Sequence, residues 1–355
     1  MSLTSHLTTK DSLIGQCIKH VLFPNTKEVL KRVRQEPASL VFIEPPAKPY
    51  PYMLAGTAFD YRLRFFLQRT SLESLVAYSA SRVLDGTGGT ITTLLPDGTW
   101  SSQPVLAPAF AKDFWTSLQV FLDTKTPMRR QLDEDDDRRL ARYCLVLAKF
   151  EAFYRSGMVD EILQGNRFRK VDNLLALMPG AVVEDVCRLA QGFHDHGLQH
   201  FGPDERLTLN PTFAGSEDVG GADADLIVGN CLVDIKTTIN PAMKGAYLHQ
   251  ILGYVLLDYE DEHAIDEVAV FSARYCRMHR WKLNALVREM SGDSDMTVAE
   301  ARKILRTAIV AEAVRQGNAV RPTREVPGTR GFDPRQSRSF LRRLWDIVVG
   351  WVRLG

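Results

Sequence analysis

Residues 220–254 read GGADADLIVGNCLVDIKTTINPAMKGAYLHQILGY, from Gly220 to Tyr254. Two short apolar runs stand out, Asp225-Leu226-Ile227-Val228 and Cys231-Leu232-Val233-Asp234-Ile235-Lys236, with Gly229-Asn230 between them. A two-residue connection with glycine in first place suits a type II′ turn between antiparallel strands. Counting back from that turn sets Val228 opposite Cys231, Ile227 opposite Leu232, Leu226 opposite Val233 and Asp225 opposite Asp234. Directly opposed residues project from one face. Strand alternation adds Lys236 to the face of Asp234. The expected cluster is two carboxylates and an ammonium at the end of a short hairpin.

Opposed carboxylates repel, so the cluster calls for a positive centre between them. A hard divalent cation meets that need, because Mg²⁺ commonly takes one or two carboxylates and completes its shell with substrate phosphate. A protonated lysine is no metal ligand, but it can stabilise charge developing on phosphate or hold an attacking water. Metal, acids and lysine together describe phosphodiester cleavage. The plainer alternative is a solvated Asp234/Lys236 pair on an edge strand. Asp223 also has two readings, a further ligand or the salt-bridge partner of Lys236, because the register sets those two opposite each other.

At these residues the chain resembles a known family. Asp225 with Asp234-Ile235-Lys236 resembles the D-(X)n-D-X-K signature of the PD-(D/E)XK nuclease superfamily, and Gln250-Ile251-Leu252-Gly253-Tyr254 resembles the QxxxY motif of its RecB-like branch. Upstream, Gly56-Thr57-Ala58-Phe59-Asp60 resembles that branch's glycine followed four residues on by a histidine or an acid; here the position holds Asp60. The resemblance covers roughly residues 52–69 and 205–285.

It implies an α/β fold: a PD-(D/E)XK restriction-endonuclease-like core, with a mixed central sheet flanked by helices and a large helical insertion. It further implies hydrolysis of DNA phosphodiesters dependent on Mg²⁺ (or Mn²⁺). Asp225 and Asp234 would hold the metal, with the Ile235 carbonyl and Asp60 as further ligands. Lys236 would orient the water or stabilise the transition state. Gln250 would position Lys236 or a phosphate, and Tyr254 would support it. For Asp60, an ordinary i,i+4 pair with Arg64 stands beside the metal role. By analogy of fold alone, the setting would be phage defence or DNA repair, with DNA and a protein partner subunit as partners. The alternative is a catalytically silent nucleic-acid- or partner-binding module of the same fold.

A net charge of +1 over 355 residues gives no global basic signature, so a nucleic-acid surface has to be a local patch. The five cysteines, Cys17, Cys144, Cys187, Cys231 and Cys276, show no C-x-x-C spacing. That argues against a zinc ribbon or an iron–sulfur centre and fits a reducing cytoplasm. Neither a leader-like N-terminus nor a long apolar run is present in the sequence, so a cytoplasmic, non-membrane protein is expected.

The remainder divides into N-terminal helices and a strand (1–50), the first part of the core (51–105), a helical insertion (106–200), the catalytic core (201–290) and C-terminal helices (291–355). Helical spacing marks 12–18, 26–34 and 57–69, the last with Phe59, Leu63, Phe66 and Leu67 on one face. A small hairpin or loop is expected over 86–100, a helix N-terminus at the acidic run 133–137, and a strand over 207–213. Residues 165–170 form a basic patch, read as a DNA-backbone contact or a solvated turn. His194, His196 and His200 suggest a rival histidine-based metal hydrolase, or ordinary histidines at a helix end. A helix over 244–259 should bury Leu248, Ile251, Leu252, Val255 and Leu256 while Tyr247, Gln250 and Tyr254 share another face. Strand 267–272 follows, and then Arg274, Arg277 and Arg280, read as phosphate contacts or solvated edge residues. A helix over 297–316 should place Ala299, Ile304, Ala308 and Val310 on its apolar side, and the segment 337–354 should pack on the body.

Overall fold

Among the residues flanking the turn, positive φ falls on Gly229 (59°) and not on Asn230. That is the pattern of a type II′ turn. The computed structural model describes residues 2–317, apart from 38, 47–49, 81–89, 95–98, 105–107, 158–159, 164–169 and 203–204. Along the chain run α1 (Leu3–Thr8), α2 (Leu13–Gln16, continued by a π-helical turn over Cys17–Leu22), α3 (Thr26–Arg34) and α4 (Tyr52–Leu67). The hairpin β1 (Thr90–Leu94) and β2 (Trp100–Pro104) precedes α5 (Pro108–Lys125), α6 (Glu134–Ser156), α7 (Val171–Ala176) and α8 (Gly180–Gly192). Then come β3 (Leu207–Leu209), β4 (Leu226–Val228), β5 (Cys231–Lys236), α9 (Gly245–Leu257), β6 (Glu267–Ser272), β7 (Arg277–Lys282), α10 (Leu283–Ser291) and α11 (Val298–Arg315).

The main sheet has the order β3-β4-β5-β6-β7 and is antiparallel except for the parallel pair β5/β6. Parallel neighbours need a crossover connection, and α9 lies in it. The hairpin keeps the register read from its turn: Val228 opposite Cys231, Ile227 opposite Leu232, Leu226 opposite Val233. The ladder then stops. The Asp225 carbonyl accepts the Asn210 N–H at 2.9 Å, with Asn210 at φ 51°. The Asp225 carboxylate takes the N–H of Ile235 at 2.6 Å. Asp225 therefore closes the strand end through its side chain, where a fourth ladder pair with Asp234 was expected.

Alternation gives the sheet two apolar faces. Ile227, Leu232, Val268 and Val270 pack with α1–α3 and α9–α11. Leu226, Val228, Val233, Ala269 and Phe271 pack against Phe59, Leu63, Phe66 and Leu67 of α4 and Leu189 of α8. The chain is thus mixed α/β, a five-stranded mixed sheet flanked by helices. The other side of α4, with Ala55, Ala58, Tyr61 and Phe65, enters a third core shared with α5–α8. A helix with two apolar sides can belong to two layers, and α4 joins the helical block to the sheet.

The acidic run is a helix start. Asp133 caps α6 by accepting the Asp136 N–H at 2.8 Å, and Asp137 pairs with the buried Arg62 of α4 at 2.8 Å. Strands β1 and β2 pair antiparallel, while residues 95–98 between them lie outside the described residues. The same holds for the 165–170 patch up to Arg169, and for everything after residue 317.

Several expectations need correction. The strand expected over 207–213 ends at Leu209, because Asn210 turns left-handed. Residues 41–46 form no strand; Ile43 instead donates its N–H to the Arg274 carbonyl at 2.8 Å. In α11 the buried apolar side is Val298, Ala301, Leu305, Ala308 and Ile309, while Ala299 and Val310 are exposed. No helix among the described residues is long and apolar enough to cross a membrane.

Candidate active site

Asp234 lies near the end of β5 and is 3 % exposed. By alternation it shares the face of Leu232, toward α9, and Lys236 falls on the same side. Lys236 Nζ donates to Asp234 Oδ1 at 3.0 Å. It also lies 2.8 Å from Oδ2, without hydrogen-bond geometry, so that buried oxygen is left with no hydrogen bond. Nζ donates again to Gln250 Oε1 at 3.0 Å, and Gln250 Nε2 donates to the Tyr254 hydroxyl at 2.8 Å. The i,i+4 spacing on α9 puts Gln250 and Tyr254 one above the other. Their helix is held to the sheet by the stripe Leu248, Ile251, Leu252, Val255 and Leu256, all buried. Tyr254 is fixed from behind by stacking on Phe213, and the Tyr247 ring covers Lys236 at 5.1 Å.

The electrostatics follow from this burial. Burial pushes the Asp234 carboxyl up to about 6; Lys236 opposes the rise and Asp225 adds to it. Burial works against the Lys236 charge too, but Asp234 and then Asp225 outweigh it, and the ammonium is held above its ordinary range. Lys236 is therefore a cation at neutral pH, able to donate and unable to accept.

A cleft of about 430 Å³ opens beside this cluster. Asp225, Ile235, Lys236 and Thr237 line it from the sheet, Gly56, Asp60 and Arg64 from α4, and Glu151 and Arg155 from α6. Gly56 has a packing reason: a Cβ there would lie 2.6 Å from Thr237 Oγ1. Only glycine lets α4 come this close without moving that side chain. Asp60, one turn on, reaches the same cleft as Asp225 and is bound by Arg64. Burial pushes Asp60 up to about 7, with Arg64 opposing and Asp225 adding. The structure thus forms the i,i+4 pair, and it forms it at the wall of the cleft.

Charge and unsatisfied polarity together fit a divalent cation. Four acids, Asp60, Glu151, Asp223 and Asp225, line the cleft against three cations, Arg64, Arg155 and Lys236, with Asp234 bonded to the lysine beside them. Asp234 Oδ2 is a buried carboxylate oxygen that has the Lys236 ammonium 2.8 Å away but no aligned hydrogen bond, so its lone pairs are available to a cation. Among the described residues no three His, Cys, Asp or Glu gather into a group that could hold a metal. Two carboxylates with carbonyl and phosphate oxygens are within the habit of magnesium, which leaves several positions to water or substrate.

The chain matches no protein-family model, no curated protein and no solved structure. What the site can do follows from its own geometry.

Several side chains lie elsewhere than the sequence suggested. Asp223 does not reach Lys236; its charged partner is Arg155 at 3.6 Å. Arg274 is fully buried and is no phosphate contact. Its guanidinium donates twice to Asp185 (3.0 and 2.7 Å), to the Thr237 carbonyl at 2.8 Å and to the Ile43 carbonyl at 3.1 Å. Arg277 pairs with Glu36 at 2.6 Å and Arg280 with Glu267 at 3.2 Å. His194 bonds Asp195 at 2.9 Å, and the three histidines join no metal-holding group among the described residues. The Arg274–Asp185 pair escaped the sequence reading because its members are 89 residues apart and no local pattern links them.

Proposed function

We propose that the protein is a divalent-cation-dependent deoxyribonuclease of the PD-(D/E)XK type, RecB-like branch, hydrolysing DNA phosphodiesters. The observation that carries this reading is the chain from Asp234 through Lys236 and Gln250 to Tyr254, with one Asp234 oxygen free of hydrogen bonds. Asp225 and Asp234, with the Ile235 carbonyl, would hold Mg²⁺ or Mn²⁺, which supplies Lewis-acid polarisation of phosphate and an acidified water.

The residues of the chain do the rest. Lys236 points its ammonium at charge developing on the phosphate and orients the attacking water. Gln250 accepts a hydrogen bond from Lys236 and fixes the direction of its other N–H groups, and Tyr254 fixes Gln250. Asp225 holds the Ile235 N–H and thereby the end of the strand. DNA repair or defence against phage is the setting that the family resemblance suggests, with DNA as substrate and a further protein subunit as a partner.

Incubating the purified protein with linear, circular and single-stranded DNA, with and without Mg²⁺, tests the reading. Cleavage that needs the cation supports it; intact DNA under every divalent cation tried rejects it. A second reading, a catalytically silent nucleic-acid- or partner-binding module, is favoured by the pairing of Asp60 with Arg64 and by the absence of a three-acid group among the described residues. Calorimetric titration with Mg²⁺ or Mn²⁺ separates the two, since the silent module would take up no cation at Asp225 and Asp234.

A further inference from the structure

Two arginines line the cleft, Arg64 and Arg155, and they differ in commitment. Arg64 is 7 % exposed and its Nη2 donates to Asp60. Arg155, near the end of α6, is 52 % exposed and lines the same cleft as Lys236. Its Nε donates to Glu151 Oε1 at 2.8 Å, one turn back on the same helix. Glu151 is in turn fixed by the buried Tyr61 hydroxyl, which donates to Oε2 at 2.6 Å. The stem of Arg155 is therefore anchored. Its Nη atoms are not: Nη2 lies 3.6 Å from Asp223, a charge contact longer than a hydrogen bond. Among the described residues neither Nη atom makes a hydrogen bond, so the outer edge of the guanidinium keeps donors for a ligand.

We propose that Arg155 is the phosphate-binding residue that the helical block contributes to the nuclease site. It takes the non-bridging oxygens of a phosphate next to the one addressed by Lys236. This rests on the nuclease reading above. The guanidinium fork suits two oxygens of one phosphate, and Asp223 is the acid it releases when substrate enters. Glu151 keeps the fork aimed, as an orienting partner does for a binding group. The block α5–α8 would then act on substrate directly, beyond its packing on α4.

The test uses the full chain with Mg²⁺ and a labelled DNA that the wild type cleaves. Arg155→Ala should raise KM about tenfold while kcat stays within about threefold, and the slope of log(kcat/KM) against log[salt] should fall by about one. Arg155→Lys, which keeps the charge and loses the fork, should recover part of the loss. The melting temperature should move by no more than a few degrees (about 2–4 °C), because Arg155 itself is half exposed and Glu151 keeps the Tyr61 hydroxyl as a partner. An unchanged KM and salt slope in Arg155→Ala, with Lys236→Ala inactive in the same assay, overturns this assignment and leaves the nuclease reading standing. Failure of the wild type to cleave any DNA overturns both.

Discussion

Asp234 and Asp60 invite comparison. Each is an acid, Asp234 buried and Asp60 partly buried, with a cation on its own element, two residues on in β5 and four residues on in α4. Burial pushes both carboxyls well above the ordinary range. The difference lies in the partner. Arg64 bonds Asp60 and also lies in the field of Asp225. Lys236 is divided among Asp234, Gln250 and the field of Asp225, and one Asp234 oxygen goes without a hydrogen bond. The hairpin end sets two acids, Asp225 and Asp234, on one lysine, while Asp60 has an arginine on its own helix. A buried carboxylate costs stability unless it is paired, so the two acids of the hairpin are the ones expected to bind a cation.

The sharpest way to break this contrast is Asp234→Ala. It should cut kcat/KM by about a thousandfold or more with the fold retained, measured by cleavage rate and circular dichroism. Residual cleavage in a cleanly purified variant would remove Asp234 from the chemistry. Lys236→Ala should cost about 10²- to 10³-fold in kcat and yet bind Mg²⁺ in a calorimeter; loss of cation affinity would make the lysine structural. Asp60→Asn should lower kcat/KM less than about tenfold and show itself mainly in the melting temperature, because it leaves the Arg64 guanidinium buried with a weaker partner. If Asp60→Asn proves as damaging to turnover as Asp234→Asn, the two acids are equal ligands and the contrast fails.

The smallest effect is a pH dependence. The Asp234 carboxyl sits near 6 in the folded chain, above its ordinary value of about 3.9 when unfolded. Between those two values the folded state holds a proton that the unfolded state has lost. Stability from this group therefore falls as pH rises through that window and levels off above it. In chelator, Asp234→Asn should thus melt roughly 3–6 °C above wild type at pH 7.5, with the gap closing toward pH 4. A gap independent of pH would show that the carboxyl is not perturbed.

The hairpin was legible in the sequence because its information is local. A turn residue, an alternation and a count of two-residue steps set three ladder pairs and the common side of Asp234 and Lys236. The same is true of Gln250 and Tyr254, whose spacing on a helix fixes their common face. The fourth pair was not legible, because Asn210, fifteen residues earlier, draws the Asp225 backbone away and frees its carboxylate for Ile235. The fate of Asp223 was hidden for a like reason, since Arg155 comes from a helix that nothing nearby announces. Periodicity showed one face of α4 and concealed that Ala55, Ala58, Tyr61 and Phe65 serve a second core. Small and aromatic residues mixed around a helix blur the moment that a one-sided helix displays.

Arg274 ties together the Thr237 carbonyl at the cleft, Asp185 on α8 and the Ile43 carbonyl. On the ribosome, α8 emerges long before residue 274, so a nascent chain that has already made the helical block holds Asp185 without its counter-charge. An acid without its counter-charge in a forming core costs several kcal/mol, which should keep α8 loosely docked until Arg274, just after β6, has been synthesised. Hydrogen exchange on stalled chains would see the α8 amides gain protection only then. The contact that sets the cleft wall would thus form late in synthesis, and products truncated before residue 274 would be released with that wall unmade.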